Sequence, residues 1–266
     1  MARALNAIKQ LHRVVEVPRA RRVTPDWRPL LSAYLGLPFP KLPFSVRLAS
    51  GPFEFRETSD VPTFWQIFFA NIYRVQPTDR LILDVGANIG AFTLYALLHA
   101  PMAHVIAVEP APDSAQRLQA VIESHGFAER CTVLRAALAA QMGTTTIEVL
   151  PASQFRRTGR AGVPVPTVTL DHLIGSYGSF DLLKLDAEGA EYESVFGASP
   201  AALHRIRRIE MEYHPWGDRQ ALLQHLAGQG FVLQSASDNE GVSGYGMARL
   251  VNVQREQTAA VPGVPA

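Results

Sequence analysis

The sequence predicts an α/β protein built on a mostly parallel, seven-stranded sheet with helices on both faces. Three observations carry that expectation. Short apolar runs alternate with amphipathic stretches from about Thr78 onward. Several of these runs are nearly continuous in Val, Ile and Leu, as strands buried on both faces must be. Glycines and acids cluster where the runs end, and strand ends are where open α/β sheets bind their ligands.

The elements follow in order. "RLILDVG" reads as a first strand and "AFTLYALLHA" as a helix. "AHVIAVEP" is a second strand, and "APDSAQRLQAVIESHG" a helix that Gly126 closes from the C′ position. "CTVLRAAL" reads as a third strand. "GTTTIEVLP" and "GVPVPTVTL" read as a hairpin with "ASQFRRTGRA" at its tip. "FDLLKLD" and "IRRIEMEYH" are the fourth and fifth strands, "DRQALLQHLAGQG" is a helix, and "FVLQSAS" and "GYGMARLVNVQ" are the final strands.

The chain before this rhythm reads as a cap. Leu5, Ile8, Leu11, Val14 and Val15 recur near helical spacing, and this amphipathic stretch could serve a homodimer. "SVRLASGPFEFRE" suggests a hairpin. "DVPTFWQIFFANIY" suggests a helix with Asp60 as N-cap and Pro62 near its first position. In this helix Phe64, Trp65 and Phe68 read as core. The expected organisation is a cap over residues 1–74, a main domain over 75–254 and a disordered tail over 255–266.

Bulk composition narrows the function classes. Among 266 residues, 25 basic and 24 acidic side chains give a formal net charge of +1, no global case for nucleic acid or a membrane surface. The local basic groups Arg19/Arg21/Arg22, Arg156/Arg157/Arg160 and Arg205/Arg207/Arg208 read as solvated faces. The loop with Arg156 is the one placed to grip an anionic acceptor. A single cysteine, Cys131, excludes an internal disulfide and a cysteine-based zinc site, and reads as a small buried hydrophobe. No apolar stretch approaches the ~18 residues of a membrane span, and without an unbroken apolar run or a small-residue cleavage site near the start no secretory signal is expected. The cytoplasm is the default location.

The turn after the first strand is "DVGANIG". Its glycines let the backbone approach a ligand and feed a helix N-terminus. Asn88 stands where a dinucleotide-binding turn needs its middle glycine, which speaks against a pyrophosphate and an NAD(P)-dependent oxidoreductase. No Gly-Lys-Ser/Thr follows, so it is not a P-loop. Glu109 ends the second strand about 20 residues later, where an acid accepts hydrogen bonds from a ribose diol. A nucleoside ligand without a diphosphate fits, and S-adenosylmethionine is the obvious one.

"LILDVGANIGAFTLYA", "VIAVEPAPDSAQRL", "FDLLKLDAEGAEYESV" and "IRRIEMEYH" together resemble the FkbM family of S-adenosylmethionine-dependent methyltransferases. The resemblance implies a class I Rossmann-like methyltransferase fold and O-methylation of a sugar or secondary-metabolite hydroxyl; methyl transfer to nitrogen or carbon is the nearest alternative. It implies that Asp84, Gly86, Ala87, Asn88 and Gly90 surround the methionine portion of the cofactor, and that Glu109 holds its ribose. Arg135, Ala136 and Ala137 would flank adenine, with backbone groups reading its amino group.

Strand alternation places Lys184 and Asp186 on one side of the chain. Asp186 would face the transferred methyl, with Glu188 in the turn beyond. Glu191 and Glu193 fall in the first turn of the next helix, where acids are favoured. Glu210, Glu212 and His214 alternate along the fifth strand, and His214 or Asp186 is the expected base. Asp186, Glu188, Glu212 and His214 could alternatively hold Mg²⁺.

Overall fold

The computed structural model describes residues 15–147, 162–238 and 245–255. The predicted N-terminal helix, the Arg156 loop and the C-terminal tail lie largely or wholly outside these residues.

The cap begins with α1 (Val17–Val23) and α2 (Trp27–Tyr34). The expected hairpin is present as β1 (Phe44–Leu48) and β2 (Gly51–Phe55), paired antiparallel. Helix α3 (Asp60–Trp65) continues into a π-helical turn over Gln66–Ala70 that stops at Asn71 in a left-handed conformation. Asp60 is the first helical residue rather than the N-cap. Its carboxylate reaches back to the amides of Arg56 and Glu57 at 2.8 and 3.0 Å. The same group pairs with Arg117 at 2.6 Å, tying the cap to a helix of the main layer. Phe64 stacks on Phe68 at 4.2 Å and both are buried, as their sequence pattern implies.

The main sheet holds β3 (Leu81–Val85), β4 (His104–Val108), β5 (Cys131–Leu134), β9 (Leu182–Leu185), β10 (Arg208–Tyr213), β11 (Phe231–Asp238) and β12 (Gly246–Asn252). Its order is β11-β12-β10-β9-β3-β4-β5. Strand β12 runs antiparallel to both neighbours, and the remaining pairings are parallel. After Leu81, every residue of β3 is buried, Asp84 included, as expected of a strand between two layers. Alternation splits the sheet between two cores. Ile82, Val105 and Leu182 face α4 (Ala91–His99) and the aromatic cap. Leu83, Ile106 and Leu183 face the opposite layer. Cap and sheet therefore share one continuous apolar core. Helix α5 (Pro112–Ser124) is followed by Gly126 at φ +76°, the expected left-handed stop.

Four sequence readings need correction. "CTVLRAAL" is not one strand: Ala136 N–H donates to Leu134 O at 3.0 Å, turning the chain after β5. The remainder forms β6 (Ala137–Leu138), which pairs with β8 (Val163–Val168). With β7 (Gly143–Ile147), the partner of β8 in the predicted hairpin, these make a separate three-stranded sheet. Leu170 does not end a strand but starts α6 (Leu170–Tyr177), capped by the Thr169 side chain accepting from His172 N–H. Helix α7 (Glu191–Gly197) was expected, whereas α8 (Pro200–Leu203), capped by Ser199, was not. Lastly, the "HRIRR" group is no solvated face at Arg208, which is buried and holds Asp79 at 2.6 Å. Helix α9 (Arg219–Gly228) completes the layer. Cys131 is partly buried, and burial pushes its thiol up to about 12, so it stays a protonated packing residue.

Candidate active site

Strand order reverses between β3 and β9, and a crevice opens beyond their carboxyl ends. The turn after β3 starts with Gly86, whose N–H donates to Val108 O at 3.0 Å. Gly86 has φ +71°, and a Cβ there would lie 1.7 Å from the carbonyl oxygen of Asp186. Only glycine fits two loops this close. Glu109 clamps the far side of the turn. One carboxylate oxygen accepts from Asn88 N–H and the other from Ala111 N–H, both at 2.8 Å.

Two cavities flank this turn. The first encloses about 680 Å³, open mouth included, between Glu109, Asn88 and an apolar slot of Ala136, Ala137, Leu138 and Ile147. The second, about 1240 Å³, lies beneath the cap, where Gln66, Tyr73, Glu212, His214 and Tyr245 converge. Gly86, Asn88, Asp186 and Glu188 line both. The turn after β3 and the loop after β9 thus form a common wall.

The charges in that wall have separate roles. Lys184 is buried, and its ammonium donates to the carbonyls of Val85 and Gly86 at 3.0 and 2.7 Å. Burial opposes its charge, but Asp84 at 3.3 Å and Asp186 at 3.5 Å outweigh that and raise its pKa. It braces the turn as a fixed cation. Asp84 is fully buried and lines neither cavity. It accepts from the Thr93 hydroxyl at 2.6 Å, which anchors α4 to β3 behind the turn. Asp186 does face the wall, with the Tyr73 hydroxyl donating to it at 3.4 Å.

Glu212 and His214 reach the second cavity, as strand alternation predicts, whereas Glu210 is tied to Arg249 at 2.9 Å. Burial, reinforced by Asp186, pushes the Glu212 carboxyl up to about 8, with His214 and Lys184 pulling the other way. His214 behaves oppositely. Burial would lower its pKa, but its hydrogen bond to Glu191 and the charges of Glu191, Asp186 and Glu188 raise it to about 9. The shift favours the imidazolium, so His214 needs a higher pH than Glu212 to act as a base.

The same fact bears on a metal. Asp186, Glu191 and His214 each bring a donor atom within 4.8 Å of the others, and Glu212 is not part of that group. His214 Nδ1 stands 3.0 Å from Glu191 and Nε2 3.4 Å from Glu188. Both ring nitrogens thus face carboxylates, and without a cation the arrangement is an ion-pair cluster.

Of the residues expected around adenine, Ala136 and Ala137 line the first cavity, but Arg135 points to solvent. Leu138 and Ile147 take its place, brought in by the small sheet that the sequence reading merged into others. Tyr73, Gln66 and Tyr245 were not foreseen either. They sit at element ends and loops, where no periodicity marks them.

Fold and site together define a Rossmann-like methyltransferase. The sequence matches the methyltransferase FkbM domain over residues 84–233, more than half of the chain, and the protein belongs to the FkbM methyltransferase family. It is 29% identical over 201 residues to the 31-O-demethyl-FK506 methyltransferase FkbM of Streptomyces tacrolimicus, covering 62% of this chain and 76% of that one. Similarity to methyltransferase sdnD of Sordaria araneosa is 25% over 206 residues, covering 62% and 80%. The AMB antimetabolite synthetase AmbE of Pseudomonas aeruginosa is 28% identical over 199 residues, 57% of this chain but 9% of its own length. This chain therefore spans only a small part of that relative. The crystal structure of methyltransferase FkbM from Methylobacillus flagellatus KT shares the fold at 14% identity with a TM-score of 0.51, over 91% of this chain and 59% of that one.

Proposed function

We propose that the protein transfers a methyl group from S-adenosylmethionine to a hydroxyl of a sugar or secondary metabolite. The observation that carries this reading is the common wall. A cleft suited to a nucleoside and a larger cavity suited to an acceptor meet at Gly86, Asn88, Asp186 and Glu188. The Glu109 carboxylate, held by its two amides, lines the cleft where a ribose diol would lie, and the slot from Ala136 to Ile147 matches a flat apolar base. Bound there, the cofactor supplies an electrophilic methyl on a sulfonium.

The protein's own groups supply positioning and proton removal. Asp186 accepts a hydrogen bond at the wall and orients the acceptor. Glu212, its carboxyl raised toward neutrality, takes the hydroxyl proton. Oxygen as acceptor atom is favoured by this base, because a neutral alcohol is a weak nucleophile without one, whereas a neutral amine attacks unaided. Among the described residues no helix is long and apolar enough to cross a membrane, and a cytoplasmic location is part of the proposal.

Calorimetric titration tests the cofactor assignment. S-adenosylmethionine is expected to bind and NAD not to; the reverse would end this reading. Glu109→Gln is expected to weaken S-adenosylmethionine by roughly 10- to 100-fold, the worth of hydrogen bonds to a charged group. A methylation screen over sugars and hydroxylated metabolites then identifies the acceptor. Turnover is expected to persist in EDTA, and its loss with rescue by added Mg²⁺ would restore the metal reading.

A further inference from the structure

The loop between β9 and α7 forms one side of the common wall. Its Glu188 has φ +50°, a left-handed backbone that costs free energy for a residue with a side chain. Such a conformation persists only where its surroundings hold it. Glu191 makes the contacts that do so. Its Oε1 accepts from Ala187 N–H at 2.7 Å and its Oε2 from Gly189 N–H at 2.8 Å, one on each flank of Glu188. Oε1 also lies 3.0 Å from His214 Nδ1, and the other ring nitrogen lies 3.4 Å from the Glu188 carboxylate. Glu191 is completely buried, where a carboxylate is tolerated only if it is paired and hydrogen-bonded. Trp216 closes the outside. Its ring lies parallel to His214 at 5.2 Å, and a Cβ on Gly189 would come within 2.6 Å of it.

We infer that Glu191 is a positioning residue: it clamps both flanks of Glu188 and, through His214, aims the Glu188 carboxylate at the wall between cofactor and acceptor. The helix-start role expected for Glu191 describes where it sits but not what its side chain does. Glu193, beside it in sequence, is exposed and keeps the simple helix-start role. What passes across the wall rests on the function proposed above, whereas the clamp concerns this chain alone.

Amide NMR and calorimetry on the wild type, Glu191→Gln and Glu191→Asp test the inference. Glutamine offers one acceptor oxygen where the clamp uses two. In Glu191→Gln the Ala187 and Gly189 amide protons are expected to move upfield and to exchange about tenfold faster or more, the loss of a charge-assisted bond. Amides of β3 and β4 should keep their protection, and S-adenosylmethionine affinity should fall on the order of tenfold. Glu191→Asp, with the charge kept but one methylene shorter, should fall between and stands in if the glutamine variant does not fold. Unchanged shifts and exchange at the two amides in the folded variants overturn the inference. A uniform loss of protection across the sheet overturns it equally, because it marks general destabilisation. If S-adenosylmethionine fails to bind the wild type, the functional reading falls while the two amides still judge the clamp.

Discussion

Glu212→Gln is expected to lower kcat by about 10²- to 10⁴-fold, the usual worth of a general base, while S-adenosylmethionine affinity stays near the wild-type value. The pH profile gives a sharper test. A base works when deprotonated, so a carboxyl moved from 4.5 to about 8 places its activity limb near pH 8. In the wild type kcat should rise about tenfold per pH unit below that point and level off above it. Glu212→Gln should remove the limb. Asp186→Asn should shift it to lower pH, because the Asp186 charge is, after burial, a cause of the raised carboxyl. A wild-type profile flat from pH 6 to 9 would exclude Glu212 as the base.

Gly86→Ala is expected to impair turnover by a different route. The new methyl would fall 1.7 Å from Asp186 O, a backbone atom that cannot swing away as a side chain would. Either the turn after β3 or the loop after β9 must move, and both belong to the wall. A displacement near 1 Å at a reacting centre can cost on the order of 100-fold. Cofactor affinity and kcat should therefore both fall by about that factor, measured by calorimetry and steady-state kinetics. Gly126→Ala is the control: a Cβ there meets nothing within 4 Å, so its cost is confined to the backbone strain at φ +76°. Equal behaviour of the two variants would remove the close approach as the reason for Gly86.

The two variants probe features of different legibility. Gly86 was visible in the sequence because a glycine turn between an apolar strand and a helix has few other uses. Its partner across the crevice was not, since the contact joins residues 100 positions apart in the chain. The charge of His214 is illegible in the sequence for a related reason. Spacing put it on the cavity face, but its charge depends on Glu191 and Glu188, which reach it only after folding. Asp84 shows the converse: its place at the strand end was legible, whereas its complete burial behind the turn was set by Thr93 and Lys184.

By itself, the sequence determined the strand and helix rhythm, the hairpin of the cap, the seven-stranded sheet and the carboxyl-end location of Glu109, Asp186, Glu212 and His214. Hydrophobic periodicity and turn chemistry are local, so they survive in one dimension. Only the tertiary structure decided which charges are braces and which face a ligand. Burial and neighbouring charge fix protonation, and both arise from segments distant in sequence. The same holds for the cap residues Gln66 and Tyr73 and for the small sheet carrying Leu138 and Ile147, which enter the cavities only because whole elements pack there.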